Sequence, residues 1–414
     1  MKVLILSDFP FVGKGHKSGA TVATQRIAQA VTSYGCQVEV YSSYYWGPGE
    51  KGDIPTIKRT KWDILRYIDL YTLVCMLRFF FSAKIHLKKR LVETLKISEL
   101  GYLNHIIKKG NYDIVHSNDF HFMLCFFIKQ VKRVPIFTIH GISNGLEELD
   151  CPDLSYRDYF HELERYEYRF YEDVLKNNYW VTFVSTGLKN HVERLMGRSL
   201  PSHSIVIGNM IDSGNTPSIH TINVRQKYNI TPEDKILVCT GTVSIRKNQT
   251  QLIRAFSKLI PEVRGSVHLL IVGNDEQIDL NAMVSELGIK DRVHIVGFVY
   301  PNEMNDYYEQ ADGVVVPSLY ETFGMSIIES YEYGLPVAVS NDLDAFEDVY
   351  NERGCVVIKD RSDGAICDAI IELVEKKWDK DEIKKLSRPF SEKVIGEKYL
   401  EFYRNYLKSY KSIS

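Results

Sequence analysis

Two carboxylates, Glu321 and Glu329, and two adjacent cations, Arg246 and Lys247, are the side chains of this sequence best placed to do chemistry. Glu321 lies in the run from Ala311 to Asn341, ADGVVVPSLYETFGMSIIESYEYGLPVAVSN. That run reads as a buried strand over Gly313–Val316, a tight loop, a helix over Met325–Tyr333, a Gly-Pro turn and a second buried strand over Val337–Ser340. The strands are β-branched and do not alternate with polar residues, the pattern of a parallel sheet covered on both faces. Glu321-Thr322-Phe323-Gly324 therefore falls at the carboxyl end of a strand and opens a helix, which is where open α/β sheets bind ligands. Free N–H groups at the helix start, with Gly324 permitting close approach, suit a phosphate. A carboxylate beside a phosphate suits a neutral polyol. Glu321 thus points to sugar hydroxyls, and Glu329, two turns on, to a second hydroxyl pair such as a ribose. On spacing alone, a helix-dipole partner at Glu321 and a solvated helix residue at Glu329 read equally well.

The cations sit in a similar place. A strand over Lys235–Thr240 runs into Gly241-Thr242-Val243-Ser244-Ile245-Arg246-Lys247-Asn248, and a helix starts at Gln249. Strand, glycine, paired cations and helix start form a good diphosphate site, and an exposed basic turn is the plain alternative. Further strands cover His268–Val272, ending in Gly273-Asn274, and Arg292–Val296, ending in Gly297-Phe298-Val299. The first half opens with a strand over Lys2–Leu6, a loop carrying Gly13, Gly15 and Gly19, a helix over Thr21–Tyr34 and a strand over Val38–Val40. Its glycines are spaced one residue off the dinucleotide fingerprint. Asp113 to Asp119 reads as a strand and loop holding His116 and Asp119, a helix follows over Phe120–Lys132, and Pro135 to Gly141 is a strand ending in His140-Gly141.

Glu321 and Glu329, with seven residues between them, preceded by Pro317-Ser318 and followed by Gly334-x-Pro336-Val337, resemble the signature of the retaining glycosyltransferases of family 4. Three further stretches resemble the same family: Asp113 to Gly141, Ser204 to Asp212, and the Gly241-Thr242-x3-Arg246-Lys247-Asn248 loop. The resemblance implies a GT-B fold of class α/β, with two facing Rossmann-like domains, a cleft between them, and a last helix near Ser391–Ser409 crossing back to the first domain. It implies that Glu321 contacts the donor hexose and Glu329 holds the nucleotide ribose. Arg246 and Lys247 would neutralise the diphosphate, and backbone groups at Phe323, Gly324 and Met325 would bind sugar and phosphates. Gly19, Gly241, Gly273 and Val299 would face the donor, and His140 the donor sugar or acceptor, with His116 and Asp119 weaker candidates. Met210 stands where the family has glycine, and a β-branch-free but bulky Met resists positive φ. The chain is expected to divide into an acceptor domain, residues 1–212 with the helix 391–414, and a nucleotide-sugar domain, 213–390.

Composition is consistent with such an enzyme. The chain has 414 residues, 44% apolar and 25% charged, with a net charge of −2, which indicates no affinity for nucleic acid. Its seven cysteines are scattered without a C-x-x-C pair, which argues against a zinc site or disulfide framework and fits a reducing cytoplasm. Asp342-x-Asp344 matches the metal motif of a different glycosyltransferase fold and is set aside, so no metal or cofactor is expected. The N-terminus reads as a strand rather than a signal peptide, and no apolar run spans a membrane. Trp62 to Leu91 reads as helical, with apolar residues at three- and four-residue spacing among Arg66, Arg78, Lys84, Lys88, Lys89 and Arg90. Either it packs as a core helix pair, or it is an interfacial helix against an anionic inner membrane, which would suit a lipid-linked acceptor.

The expected reaction is transfer of a hexose from GDP-mannose or a UDP-hexose to an acceptor hydroxyl, on a lipid-linked or growing surface glycan, with retained configuration. A nucleotide-sugar epimerase of the same fold and a catalytically silent sugar- or membrane-binding protein are the alternatives.

Overall fold

The computed structural model describes residues 1–7, 19–42, 54–57, 60–85, 87–118, 136–142, 154–211, 222–274 and 278–411. The helix expected over Phe120–Lys132, the loop carrying Gly13 and Gly15, and Asp119 lie outside them. The chain divides into two units, Met1–Met210 with Glu392–Ser414, and Ile211–Ser391.

The first unit is a six-stranded sheet in the order β2-β1-β3-β4-β5-β6. Its strands are β1 (Lys2–Ser7), β2 (Gln37–Ser42), β3 (Ile114–Ser117), β4 (Ile136–Ile139), β5 (Val181–Phe183) and β6 (Ser204–Val206). Every pairing is parallel. β1, β3, β4 and β5 are buried almost throughout, as their continuous apolar runs require. The C-terminal helix Glu392–Lys411 belongs to this unit and packs on the helix Gly19–Ser33. Its Ile395, Tyr399, Leu400 and Tyr403 enter the same core as Val3, Ile5 and Ile27. Gly396 lets the two helices approach, since a Cβ there would stand 3.2 Å from the Ala30 Cβ.

The second unit has six parallel strands in the order β12-β11-β10-β7-β8-β9. They are β7 (Lys235–Thr240), β8 (Val267–Val272), β9 (Val293–Gly297), β10 (Gly313–Val316), β11 (Val337–Ser340) and β12 (Cys355–Ile358). Helices Gln249–Ser257 and Asp363–Glu375 bury Leu252, Ile253, Phe256, Ile366, Ile370 and Leu373 against it. Each sheet reverses its winding once, between β1 and β3 in the first unit and between β7 and β10 in the second.

Two sequence readings change. The segment expected to be helical over Trp62–Leu91, as a helix pair or an interfacial helix, is three helices, Lys61–Arg66, Leu70–Ser82 and Leu87–Ile97. Capping sets the first two starts: Thr60 and Asp63 form a capping box ahead of Lys61, and the Asp69 carboxylate accepts from the Thr72 N–H, starting a new helix. Met210 does not need glycine's freedom. Among the described residues the non-glycine positions at positive φ are all asparagines, and Met210 is buried in the first core.

Candidate active site

The second sheet's switch point brings the two predicted loops together. β7 and β10 are neighbours, and the chain leaves their carboxyl ends in opposite directions, which opens a crevice there. The β7 loop supplies Lys247 and the β10 loop supplies Glu321. The half-buried Lys247 and the buried Glu321 form an ion pair through a short Nζ to Oε1 contact. Ser318 Oγ donates to the same Glu321 oxygen at 3.0 Å. Burial pushes the Glu321 carboxyl pKa up, but the charges of Lys247 and Arg246 and the hydrogen bonds from Lys247 and Ser318 outweigh it, so the net shift is downward. Glu321 is therefore a carboxylate at neutral pH, and the group that opposes its charge is the one predicted to meet a diphosphate.

The loops are held to each other through the backbone as well. The Leu319 N–H donates to the Arg246 carbonyl at 2.7 Å, and Asn248 Nδ2 donates to the Pro317 carbonyl at 3.2 Å. Asn248 occupies the left-handed region at φ 60°, which asparagine tolerates better than most residues. The buried Gln249 amide donates to the Gly241 and Thr242 carbonyls and accepts from the Ser244 N–H, fixing the start of the β7 loop.

The two glycines have steric reasons. Gly241 lies at φ 122°, and a Cβ on Gly273 would come within 1.9 Å of the Gly241 carbonyl oxygen. The ends of β7 and β8 can close only if position 273 has no side chain. The Gly273 N–H in turn donates to the Gly297 carbonyl at 2.9 Å, which carries the chain to the half-buried Val299 beyond β9. Gly324, at φ 75°, caps the helix Met325–Glu332, with Phe323 buried just before it and Met325 half-buried just after. The first N–H groups of that helix have no partner within it.

Glu329 lies one face along. Tyr308 Oη donates to its Oε2 at 3.4 Å and lies 3.4 Å from Thr240 Oγ1 at the end of β7. Burial and the Glu329 charge hold the Tyr308 phenol well above its ordinary range, so it stays protonated and can donate. Tyr308 stacks on Tyr333, their ring centroids 5.2 Å apart.

Sequence reasoning misses Arg361. It follows β12, and its guanidinium donates to the carbonyls of Ser318 (2.6 Å) and Leu319 (3.3 Å) and to Ser340 Oγ (3.2 Å). It also pairs with Asp342, its Nε 3.0 Å from Oδ2. One side chain thus ties the ends of β10, β11 and β12 behind Glu321, and Asp342 is committed to that pair. The available signal was the β-branched run Cys355–Ile358 ahead of Lys359-Asp360-Arg361, a strand and its carboxyl end.

The residues predicted in the first unit fare differently. Gly19 is the first residue of its helix. His116 is fully buried, with Nδ1 2.7 Å from Tyr403 Oη and Nε2 2.7 Å from Thr138 Oγ1. Both ring nitrogens are used, so it is a core histidine rather than a ligand contact, and burial lowers its pKa to about 3. His140 stands just beyond β4. Its Nε2 is buried without a hydrogen-bond partner among the described residues. Burial lowers its pKa to about 4, against a hydrogen bond to the Asn118 backbone that pushes the other way. It is neutral at pH 7, with one nitrogen left for a ligand.

This architecture is the GT-B fold. The family model "Glycosyl transferases group 1" matches residues 221–390, and "Glycosyltransferase Family 4" matches residues 17–214. The two models together span most of the chain, which belongs to the group 1 glycosyltransferases. It is 28% identical over 249 residues to an uncharacterized glycosyltransferase of Methanocaldococcus jannaschii, a match covering 57% of this chain and 59% of that one. An O-antigen biosynthesis glycosyltransferase of Escherichia coli is 25% identical over 298 residues, covering 67% of this chain and 74% of its own length. Among solved structures, an Anabaena protein in complex with UDP and glucose has a TM-score of 0.68 at 16% identity, covering 98% of this chain and 100% of that one.

Proposed function

We propose that the chain is a retaining hexosyltransferase that uses a UDP- or GDP-linked hexose and an acceptor hydroxyl on a lipid-linked or growing surface glycan. The observation that carries the reading is the Lys247–Glu321 pair, with Arg246 beside it, at the switch point of the second sheet. On donor binding the Lys247 and Arg246 charges face the diphosphate, and Glu321, held by Ser318, accepts hydrogen bonds from hexose hydroxyls. Glu329 takes the ribose hydroxyls. Phe323, Gly324 and Met325 offer backbone N–H groups, while Gly241, Gly273 and Val299 shape the nucleotide side. In the first unit Gly19 opens the helix near the donor phosphates, and His140 Nε2 meets the sugar or acceptor.

The bond from the anomeric carbon to the phosphate oxygen breaks, and its electron pair leaves with the diphosphate. The acceptor oxygen bonds that carbon on the same face, and its proton passes to the departing phosphate oxygen. Fixed cations in a site screened from water stabilise the developing charge without reorganising, and losing one such donor costs about 100-fold in rate. The same cations occupy the role a metal would have, so no metal or cofactor enters the scheme. The UDP complex of the structural neighbour and the O-antigen role of the E. coli relative support donor and acceptor class. The epimerase and silent-binder readings gain nothing from the relatives, which are transferases. Among the described residues no helix is long and apolar enough to cross a membrane, and the reading adds a cytoplasmic protein touching the inner membrane through 62–91.

A thermal-shift panel with UDP, GDP, ADP and their sugars tests the donor. A ligand at 100 times its Kd adds about 2.7 kcal/mol of stability. We expect a shift with a uridine or guanosine compound; no shift with any nucleotide counts against the reading.

A further inference from the structure

The described residues between 62 and 95 expose an unusual amount of large apolar surface. The helix Leu70–Ser82 turns Thr72, Cys75 and Phe79 inward. Its opposite face shows Leu70 (78% exposed), Leu73, Val74, Leu77 and Phe81 (79% exposed). These recur at three- and four-residue spacing, so they form one stripe. The helix Leu87–Ile97 packs beside it and exposes Leu87, Leu91, Val92 and Leu95, while Glu93 and Ile97 are buried. Each helix thus has a buried side that holds it to the first unit and a second, apolar side open to solvent. Exposed apolar patches of this extent mark interaction sites.

The charge around the stripes selects the occupant. Among the residues of the segment from Lys61 to Leu95 whose side chains are described, the exposed charged ones are Lys61, Arg66, Arg78, Lys84 and Lys88 on the positive side and Asp69 on the negative. A second copy of this chain fits poorly, since a two-fold contact sets a patch against itself and would bring these cations together. Leucine and phenylalanine stripes on paired helices, rimmed by lysine and arginine, match the requirements of an anionic bilayer surface. We infer that these two helices seat the protein on an anionic membrane, with Leu70, Leu77 and Phe81 entering the acyl boundary and Arg78 and Lys84 meeting lipid phosphates. The inference deepens the membrane contact proposed above by naming the surface, the inserting side chains and the lipid class. It does not require sugar transfer.

Sedimentation of the full chain with vesicles tests it, comparing phosphatidylglycerol–phosphatidylcholine mixtures with pure phosphatidylcholine. Wild type should bind the anionic vesicles and release with salt. The variant Leu70→Ser/Leu77→Ser/Phe81→Ser should lose at least about tenfold in partitioning, and Arg78→Glu/Lys84→Glu about fivefold per residue on anionic vesicles only. All five side chains are solvent-exposed, and circular dichroism and an unchanged nucleotide-induced thermal shift establish that each variant is folded. Unaltered binding in the apolar variant, or no binding by wild type at any composition, overturns the inference. So does a wild-type dimer that dissociates in the apolar variant, because the stripe then belongs to a second copy. Since no step reads transfer, failure here leaves the enzymatic reading intact, and failure of that reading leaves this one intact.

Discussion

The two sheets share an architecture and differ in what stands where each reverses its winding. In the second unit the neighbouring ends of β7 and β10 carry opposite charges, Lys247 and Glu321, locked together and braced from behind by Arg361. In the first unit the described residues at the ends of the corresponding strands, β1 and β3, carry neutral polar groups, and the loops beyond them, with Asp119, lie outside the described residues. Asn118, after β3, donates to Thr24 Oγ1 at 2.5 Å, and a step inward His116 joins Thr138, Thr182 and Tyr403 in a sealed chain of hydrogen bonds. A fixed charge at a strand end is costly to bury unless it has a partner or a ligand. A neutral network is satisfied by itself and rigidifies its sheet. Among the described residues, the fixed charge proposed to stabilise the leaving group thus stands in the second unit, and the first contributes a neutral, rigid network.

Acidification should separate the two regions most strongly. His116 has a folded pKa near 3, below its ordinary 6.5, so the unfolded chain takes up a proton that the folded one refuses. Its neutrality supports folding fully above pH 6.5, and stability falls by about 1.4 kcal/mol per pH unit below that, down to pH 3. Glu321, with its pKa lowered, contributes stability above the ordinary carboxylate range and loses it only as pH falls through its folded value. Hydrogen exchange across pH 7 to 4 should therefore show β3 and β4 weakening before the Lys247–Glu321 pair breaks. In the variant His116→Gln the acid slope should flatten by about one proton.

Gly273→Ala probes the second unit by steric means. A Cβ only 1.9 Å from the Gly241 carbonyl must push β7 and β8 ends apart. About 1–3 kcal/mol of stability should be lost in denaturant melts. Nucleotide affinity should fall with it, because Gly241 leads to Arg246 and Lys247.

A smaller effect should follow from Arg361→Gln. The carbonyls of Ser318 and Leu319 lose their charged donor, and Glu321 loses its brace. We expect a drop of about tenfold in kcat, near 1.4 kcal/mol, with donor KM little changed and partial rescue in Arg361→Lys. A change in KM alone would mean that Arg361 holds nucleotide rather than Glu321.

Much of this contrast is legible in the sequence, unevenly. The buried parallel strands announce themselves as β-branched runs, and Gly241, Arg246, Lys247, Glu321 and Gly324 fall at strand ends because runs of that kind bound them. The GT-B class and the last helix follow from resemblance, and the fold agrees. Pairing across loops is not legible. Nothing local says that Lys247 meets Glu321, 74 positions on, or that Arg361 reaches back to Ser318. The same holds for His116, whose partners come from β4 and the C-terminal helix. β12 carries no motif residue at its carboxyl end, and Arg361, three residues beyond it, reads as an ordinary exposed cation. The break before Leu70 rests on a single capping residue, Asp69, that periodicity does not weigh.

The central claim is that Glu321 acts on the sugar while Lys247 and Arg246 hold the diphosphate. The direct measurement is kcat and nucleotide Kd for Glu321→Ala beside wild type. The account predicts a loss of about 100-fold or more in kcat, with the Kd for the nucleotide diphosphate within about threefold of wild type, since both cations remain. A wild-type rate in that variant would contradict it.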